Sequence, residues 1–461
     1  MSILIRNGRI ITADRDFIAD ILIEDEKITS VAPGLPQAAD LVINAADKYV
    51  IPGGVDVHTH LDMPFCGTVS SDDFETGTRA AAFGGTTCLV DFAIQSRGMR
   101  MRDALDIWLR KGERAAVDYG LHMIVTDLPE TRLPEIDEMV RAGVTSFKLF
   151  MAYPDTLMVD DATILRAMRR AKANGGLVCI HAENGAAIAK FVTEALASGK
   201  TAPIHHALTR PPDVEADAVN RAIALAQQAD APVYIVHLST AEALAAVATA
   251  RDQGLRVFAE TCPQYLLLSI AELDRPDLEG AKYVFSPPSR EPSHMARLWH
   301  GLRAGTLQVV ATDHCPVFLS EKLAGARRDF TKIPNGGPGI ENRLQLLYQY
   351  GVCEERLTLN RWVETLSTAP AKIFGLYPRK GTIAEGSDAD IVIWDPDREH
   401  TISARTHHMR VDYSMYEGFQ IRGNADTVIV RGKVVVERNH WLGRAGWGRF
   451  IARGACAPLL H

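Results

Sequence analysis

The sequence predicts an α/β fold: a (β/α)8 TIM-like barrel with a small β-sandwich domain formed from both termini. Two observations carry this expectation. The middle of the chain alternates short β-branched runs with helix-period segments, the pattern of βα units around a parallel sheet. Both ends carry short alternating strands broken by turn residues, so one small β-domain assembles from the two ends around a different middle. The expected division is residues 1–51 plus 380–440 for the sandwich, 52–379 for the barrel and 441–461 for a tail.

Taken in order, residues 3–5, 9–11, 20–23 and 27–31 read as strands. Barrel strands are expected at 49–57, 86–93, 120–127, 145–151, 177–182, 232–238, 255–260 and 307–312, with helices such as 103–117 and 216–229 between them. Eight strand–helix repeats in about 320 residues suit a barrel with insertions better than an open doubly wound sheet. Residues 389–394 and 427–436, the latter with a Gly-marked turn, return to the β texture of the N-terminus.

The composition narrows the functional classes. A chain of 461 residues with 47% hydrophobic and 23% charged content is that of a globular protein. A formal net charge of −7 gives no electrostatic reason to expect nucleic acid or an anionic membrane as partner. The seven cysteines (Cys66, Cys88, Cys179, Cys262, Cys315, Cys353, Cys456) are scattered, odd in number and never spaced C-x-x-C. That argues against a disulfide framework or a cysteine zinc site and for a reducing compartment. Residues 1–8 contain no signal-peptide core, and no apolar run is long enough to span a bilayer, so a cytoplasmic protein is expected.

The chemistry sits at the strand ends. The first barrel strand ends in Asp56-Val57-His58-Thr59-His60; residues two apart share a face, so both imidazoles can hold one metal ion. His181, His237 and Asp313 end the fifth, sixth and eighth strands, and Lys148 lies at the end of the fourth. The C-terminal strand ends form the catalytic face of a barrel, so these six groups converge on one mouth. Buried ionisable groups are costly unless paired or metal-bound. Lys148, flanked by Phe147, Leu149 and Phe150, needs a partner or a lowered pKa. A neutral lysine amine can combine with CO2 to give a carbamate, an anionic bidentate ligand able to bridge two cations; a salt-bridged structural lysine remains the alternative.

At these residues the chain resembles the hydantoinase/dihydropyrimidinase family, cyclic amidohydrolases of the amidohydrolase superfamily. The run from Gly53 to Phe65 is similar to their first metal motif, and Ser146-Phe147-Lys148-Leu149-Phe150-Met151-Ala152-Tyr153 to their carbamylated-lysine motif. His181-Ala182-Glu183-Asn184, Val236-His237-Leu238-Ser239, the run from Glu260 to Leu266, Ser286-Pro287-Pro288, Asp313-His314-Cys315-Pro316 and the run from Pro334 to Glu341 also match, in order and spacing. The resemblance implies a hydrolase that opens cyclic ureides to N-carbamoyl amino acids with two divalent metal ions. His and carboxylate ligands suit Zn2+, with Mn2+ or Co2+ as alternatives. It implies that His58, His60 and Asp313 hold the more buried ion and that His181 and His237 hold the more exposed one. A CO2-derived carbamate on Lys148 (N6-carboxylysine) and a hydroxide would bridge the two.

Tyr153 is similar to the tyrosine that hydrogen-bonds the attacked carbonyl, and Ser286 and Asn335 match positions that hold the ring amide through backbone groups. Asp313 would carry the proton to the leaving nitrogen. Met63, Phe65, Phe150 and Leu157 would gate the substrate's 5-substituent. A homotetramer and a tail engaged in subunit docking are also implied. His314, next to Asp313 in the chain, should face elsewhere, and residues 260–266 read mainly as barrel scaffold.

Dihydroorotase and allantoinase share the ligand set. Dihydroorotases have an arginine two residues beyond His-x-His to bind the substrate carboxylate; here that position is Asp62, the wrong charge for an anionic substrate. Allantoinase stays open. Non-catalytic scaffold relatives have lost metal ligands, whereas all six positions are filled here.

Overall fold

A computed structural model describes residues 2–65 and 67–456; Met1, Cys66 and residues 457–461 at the end of the tail lie outside the described residues. Eight parallel strands follow one another in chain order: Gly54–Thr59, Thr86–Ile94, Asp118–Ile124, Ser146–Phe150, Leu177–His181, Val233–Ile235, Val257–Thr261 and Val309–Val310. The first and last meet. Thr59 and His314 form a parallel bridge, the His60 N–H donates to the His314 carbonyl at 2.9 Å, and Thr312 donates its N–H and O–H to Asp56 at 3.2 and 2.6 Å. The fully buried Arg343 guanidinium spans the same seam, donating to the carbonyls of Val55 (3.1 Å) and Val310 (2.9 Å). This seam makes the sheet a barrel rather than an open doubly wound sheet.

The second sheet has nine strands from both ends of the chain, mostly antiparallel. Its order is His440–Trp441, Lys433–Glu437, Gln420–Val430, Ile391–Thr401, Tyr49–Pro52, Ser2–Ile11, Asp16–Glu24 and Lys27–Ala32, with Leu41–Asn44 beside Ser2–Ile11. It forms the β-sandwich domain. Two expectations need correction. Residues 3–5 and 9–11 belong to one strand: the Asn7-Gly8 turn signal marks a bulge, with Asn7 at φ 60° and a register shift between Ile5 and Gly8. Residues 49–57 are two strands. Pro52 pairs with Ile391 in the sandwich, and the barrel begins after Gly53, where an added Cβ would lie 2.0 Å from Thr87 Oγ1.

A buried ionic cluster joins the two domains. Lys380 Nζ lies 2.6 Å from Asp118, 2.7 Å from Asp390 and 3.0 Å from Asp388, and Arg431 Nε donates to Asp118 at 3.0 Å. Asp118 opens the third barrel strand, whereas Asp388, Asp390 and Arg431 border the sandwich strands. Burial alone would deprotonate Lys380, but Asp390 and Asp118 hold its pKa above the ordinary value.

The described part of the tail packs on its own barrel, opposite the mouth. The Ile451, Arg453 and Cys456 N–H groups donate to the carbonyls of Tyr119, Gly143 and Gly175 at 2.7, 3.0 and 2.9 Å. The buried Arg453 guanidinium donates to Leu121 O and to Ser146 Oγ, so the tail covers the starts of the third to fifth strands.

Candidate active site

The strand ends bring the ionisable groups together. Lys148 Nζ lies 2.9 Å from His58 Nε2. The Nε2 atoms of His58 and His60 lie 3.1 and 3.2 Å from Asp313 Oδ1. His181 Nδ1 and His237 Nε2 are 2.8 Å apart. The His58 and His237 rings lie 5.3 Å centre to centre, which joins the two histidine pairs. Tyr153, His237 and Asp313 all have left-handed backbones, with φ of 64°, 40° and 52°. Non-glycine residues adopt this region at a cost, and here it aims three side chains into one mouth.

Burial and the neighbouring carboxylates set the protonation states; burial would lower His58, but Glu260 and Asp313 raise it. Lys148 is 1% exposed, with its Nζ 4.4 Å from the Phe92 ring centre, and desolvation lowers its pKa. Desolvation pushes His60 down to about 3 and lowers His181 and His237. Burial would raise the Asp313 carboxyl, but His58 and His60 hold it well below the usual carboxylate range. Neutral imidazoles beside an ionised carboxylate are the ligand forms for a divalent cation.

The donor set fits such ions. The ligand atoms of His58, His60 and Asp313 all lie within 4.8 Å of one another. His181 Nδ1, left as an acceptor because Nε2 donates to Glu183, meets His237 Nε2 at 2.8 Å, and the two nitrogens could hold one cation between them.

Two carboxylates behind the histidines were missed in the sequence. Residues 260–266 read as scaffold, yet Glu260, fully buried, accepts hydrogen bonds from His58 Nδ1, from Tyr234 O–H at 2.8 Å and from the His237 N–H at 3.2 Å. It therefore fixes the tautomer that turns His58 Nε2 into the site. Glu183 does the same for His181, accepting from Nε2 at 2.8 Å and leaving Nδ1 toward His237. The available signal was the rule applied to Lys148: a buried charge at a strand end needs a partner.

Above these groups lies a cavity of about 40 Å³. His60, Lys148, His181, His237 and Asp313 line it, and so do Tyr153, Ser286 and Asn335. Asn335 Nδ2 donates to Tyr153 Oη at 3.3 Å and to Ser286 Oγ at 3.2 Å. Met63, Phe65, Phe150 and Leu157 form an apolar wall on the same cavity, with Phe65 edge-on to Tyr153 at 5.5 Å. Phe285, Cys315 and Gly336 complete the lining. Gly336 has φ +124°, and a Cβ there would strike the Cys315 carbonyl at 2.2 Å. His58 sits beneath the cavity floor. His314 turns away to Asp72, and Asp62 meets Lys111 at 3.3 Å, outside the cavity lining.

A parallel barrel with histidines, a carboxylate and a buried lysine at its C-terminal mouth is an amidohydrolase architecture, and the model of the amidohydrolase family matches residues 49–435. A D-hydantoinase of Streptomyces coelicolor is 55% identical over 99% of both chains, and one of Geobacillus stearothermophilus is 47% identical over 100% of this chain and 98% of its own. The crystal structure of a dihydropyrimidinase from Brevibacillus agri superposes with a TM-score of 0.98 at 49% identity, covering 99% of this chain and 100% of that one. The chain belongs to the hydantoinase/dihydropyrimidinase family of cyclic amidohydrolases. No helix among the described residues is long and apolar enough to cross a membrane.

Proposed function

We propose that this protein hydrolyses the cyclic amide bond of hydantoins and dihydropyrimidines, giving N-carbamoyl amino acids. One observation carries the reading: Tyr153, Ser286 and Asn335 share one cavity with the His, Asp and Lys cluster and with an apolar wall. A polar ring with an apolar 5-substituent fits that division. His58, His60 and Asp313 would hold one divalent cation and His181 and His237 a second, with carbamylated Lys148 between them; Zn2+ suits this donor set, and Mn2+ or Co2+ could replace it. When bound, such ions lower the pKa of water and polarise a carbonyl.

The chain's own residues do the rest. Backbone groups of Ser286 and Asn335 hold the ring amide. The Tyr153 hydroxyl donates to the attacked carbonyl oxygen as negative charge builds there, while its oxygen can go on accepting from Asn335 Nδ2. Asp313, held ionised, accepts the proton of the attacking water and delivers it to the ring nitrogen as the C–N bond breaks. Met63, Phe65, Phe150 and Leu157 surround the 5-substituent and exclude water.

The test is a hydrolysis panel of dihydrouracil, hydantoin, both enantiomers of a 5-substituted hydantoin, and allantoin. Turnover of the first three classes is expected; turnover of allantoin alone would assign the site to an allantoinase. The same family resemblance supports a cytoplasmic homotetramer. Phe191 and Leu196, 38% and 36% exposed on the Ala-rich helix Gly185–Ala197, offer an apolar subunit contact that size-exclusion measurement would check.

A further inference from the structure

We infer that His314 and Asp72 are positioning residues that hold the loop presenting Asn335 against the loop carrying Met63 and Phe65, and so set the width of the substrate cavity. The inference rests on the reading of Asn335 as a substrate-binding residue. Neither His314 nor Asp72 lines the cavity, and both are fully buried.

Both ring nitrogens of His314 are in use. Nδ1 accepts from the N–H groups of Gly339 (3.1 Å) and Ile340 (3.3 Å), and Nε2 donates to Asp72 Oδ2 at 3.0 Å. A nitrogen that accepts two N–H groups carries no proton, so a single neutral tautomer satisfies all three contacts. Asp72 keeps that tautomer in place.

These contacts join two loops that line one cavity. On one side, Asp72 accepts the Asp62 N–H on its carbonyl at 2.8 Å and the Arg410 N–H on Oδ1 at 2.8 Å. Ser70 N–H closes the same loop on the Met63 carbonyl at 2.9 Å, and Pro64–Phe65 pairs with Thr68–Val69. On the other side, Gly339 and Ile340 end the loop that begins at Pro334, whose carbonyl accepts from Lys322 Nζ at 2.9 Å. Cys315 N–H holds its middle, donating to the Gly337 carbonyl at 3.2 Å. The His314 side chain is bonded both to Asp72 at the root of the gate loop and to the end of the Asn335 loop.

Two substitutions separate the two nitrogens. His314→Gln can still donate to Asp72 but offers no acceptor near Nδ1, leaving the Gly339 and Ile340 N–H groups unpaired. His314→Asn keeps an oxygen near the Nδ1 position. The expected result for His314→Gln is a rise of about tenfold in KM for hydantoin and dihydrouracil. Its kcat and metal content should be unchanged, and hydrogen exchange at the Gly339 and Ile340 amides should be faster. His314→Asn, which keeps the acceptor but loses the donor to Asp72, should restore slow exchange at Gly339 and Ile340 while KM stays raised.

Unchanged KM and exchange in His314→Gln would overturn the inference. So would parallel losses of kcat and metal at constant KM, which would mean that His314 acts through Asp313. If His314→Gln does not fold, Asp72→Asn serves instead: an amide there can face the ring by either end, which releases the tautomer, and absence of the same two changes refutes the idea. Failure of the functional reading would show separately, as a wild-type protein inactive on every cyclic ureide; the exchange measurement still stands in that case.

Discussion

Glu260→Gln tests whether the carboxylate behind His58 governs the metal site. The side chain is fully buried and accepts three hydrogen bonds, from His58 Nδ1, Tyr234 O–H and the His237 N–H. A glutamine has the same shape, and its amide oxygen can keep His58 and the His237 N–H, while the Tyr234 O–H loses its acceptor. What also disappears is the negative charge facing the imidazole. A charge-assisted hydrogen bond contributes about 1.5–3 kcal/mol against about 0.5–1.5 for a neutral one. The difference, about 1–2 kcal/mol, corresponds to roughly 5–30-fold in an equilibrium constant. Loss of a carboxylate behind a ligating histidine commonly costs about 10–100-fold in metal affinity, so the two ranges overlap near tenfold. Chelator competition on the purified protein reads the affinity directly, and Tyr234→Phe, which removes one hydrogen bond but keeps the charge, is the control. Equal affinities in Glu260→Gln and wild type would refute the reasoning.

Four further outcomes follow from the site and the domain junction. Lys148→Ala should lose metal and activity together, whereas a variant keeping both would show that no lysine-derived ligand is needed. Tyr153→Phe should lower kcat by about 10²–10³ while Ser286→Ala changes little, because only the first removes an oxyanion donor; equal losses would give the Ser286 side chain a direct role. Leu157→Ala should shift the kcat/KM ratio of an aryl-substituted hydantoin to hydantoin by about 10–200-fold, and an unmoved ratio would make Leu157 mere rim packing.

The fourth outcome concerns pH. Burial would raise the Asp388 carboxyl, but Lys380, Lys27 and Arg379 hold it down to about 2. A depressed folded pKa stabilises above the unfolded value and loses that contribution as pH falls through the folded one. The Tm advantage of wild type over Asp388→Asn should therefore be full above about pH 4 and shrink toward pH 2. A constant gap would deny the charge its part.

The barrel was legible because its strands are fully buried and read as short apolar runs between helices; seven fall at the expected places, and the first overlaps only the second half of the expected run 49–57. Boundaries were less legible where one pattern served two sheets. The run from Tyr49 to Val57 carries no charge before Asp56, and the packing of Gly53 against Thr87 marks the switch from sandwich to barrel. The histidines, Lys148 and Asp313 stood out because a polar residue ending an apolar strand is conspicuous. Glu260 has the same signature but is followed by Thr261 and Cys262, so the run looked structural. The pairing of Asn335 with Tyr153 and Ser286 depends on loops, whose paths are set by tertiary contacts such as Lys322 to Pro334 and not by local periodicity.

The sandwich strand Tyr49–Pro52 pairs with Ile391–Thr401, and Ser2–Ile11 lies beside it. A growing chain therefore carries the N-terminal strands with one edge of Tyr49–Pro52 unpaired throughout synthesis of the barrel. Contacts between such distant segments form slowly, because the loop entropy is lost before the pairing is gained. Substitutions in these strands should thus act through the yield of folded protein in the cell, while molecules that do mature keep an intact barrel mouth and ordinary turnover.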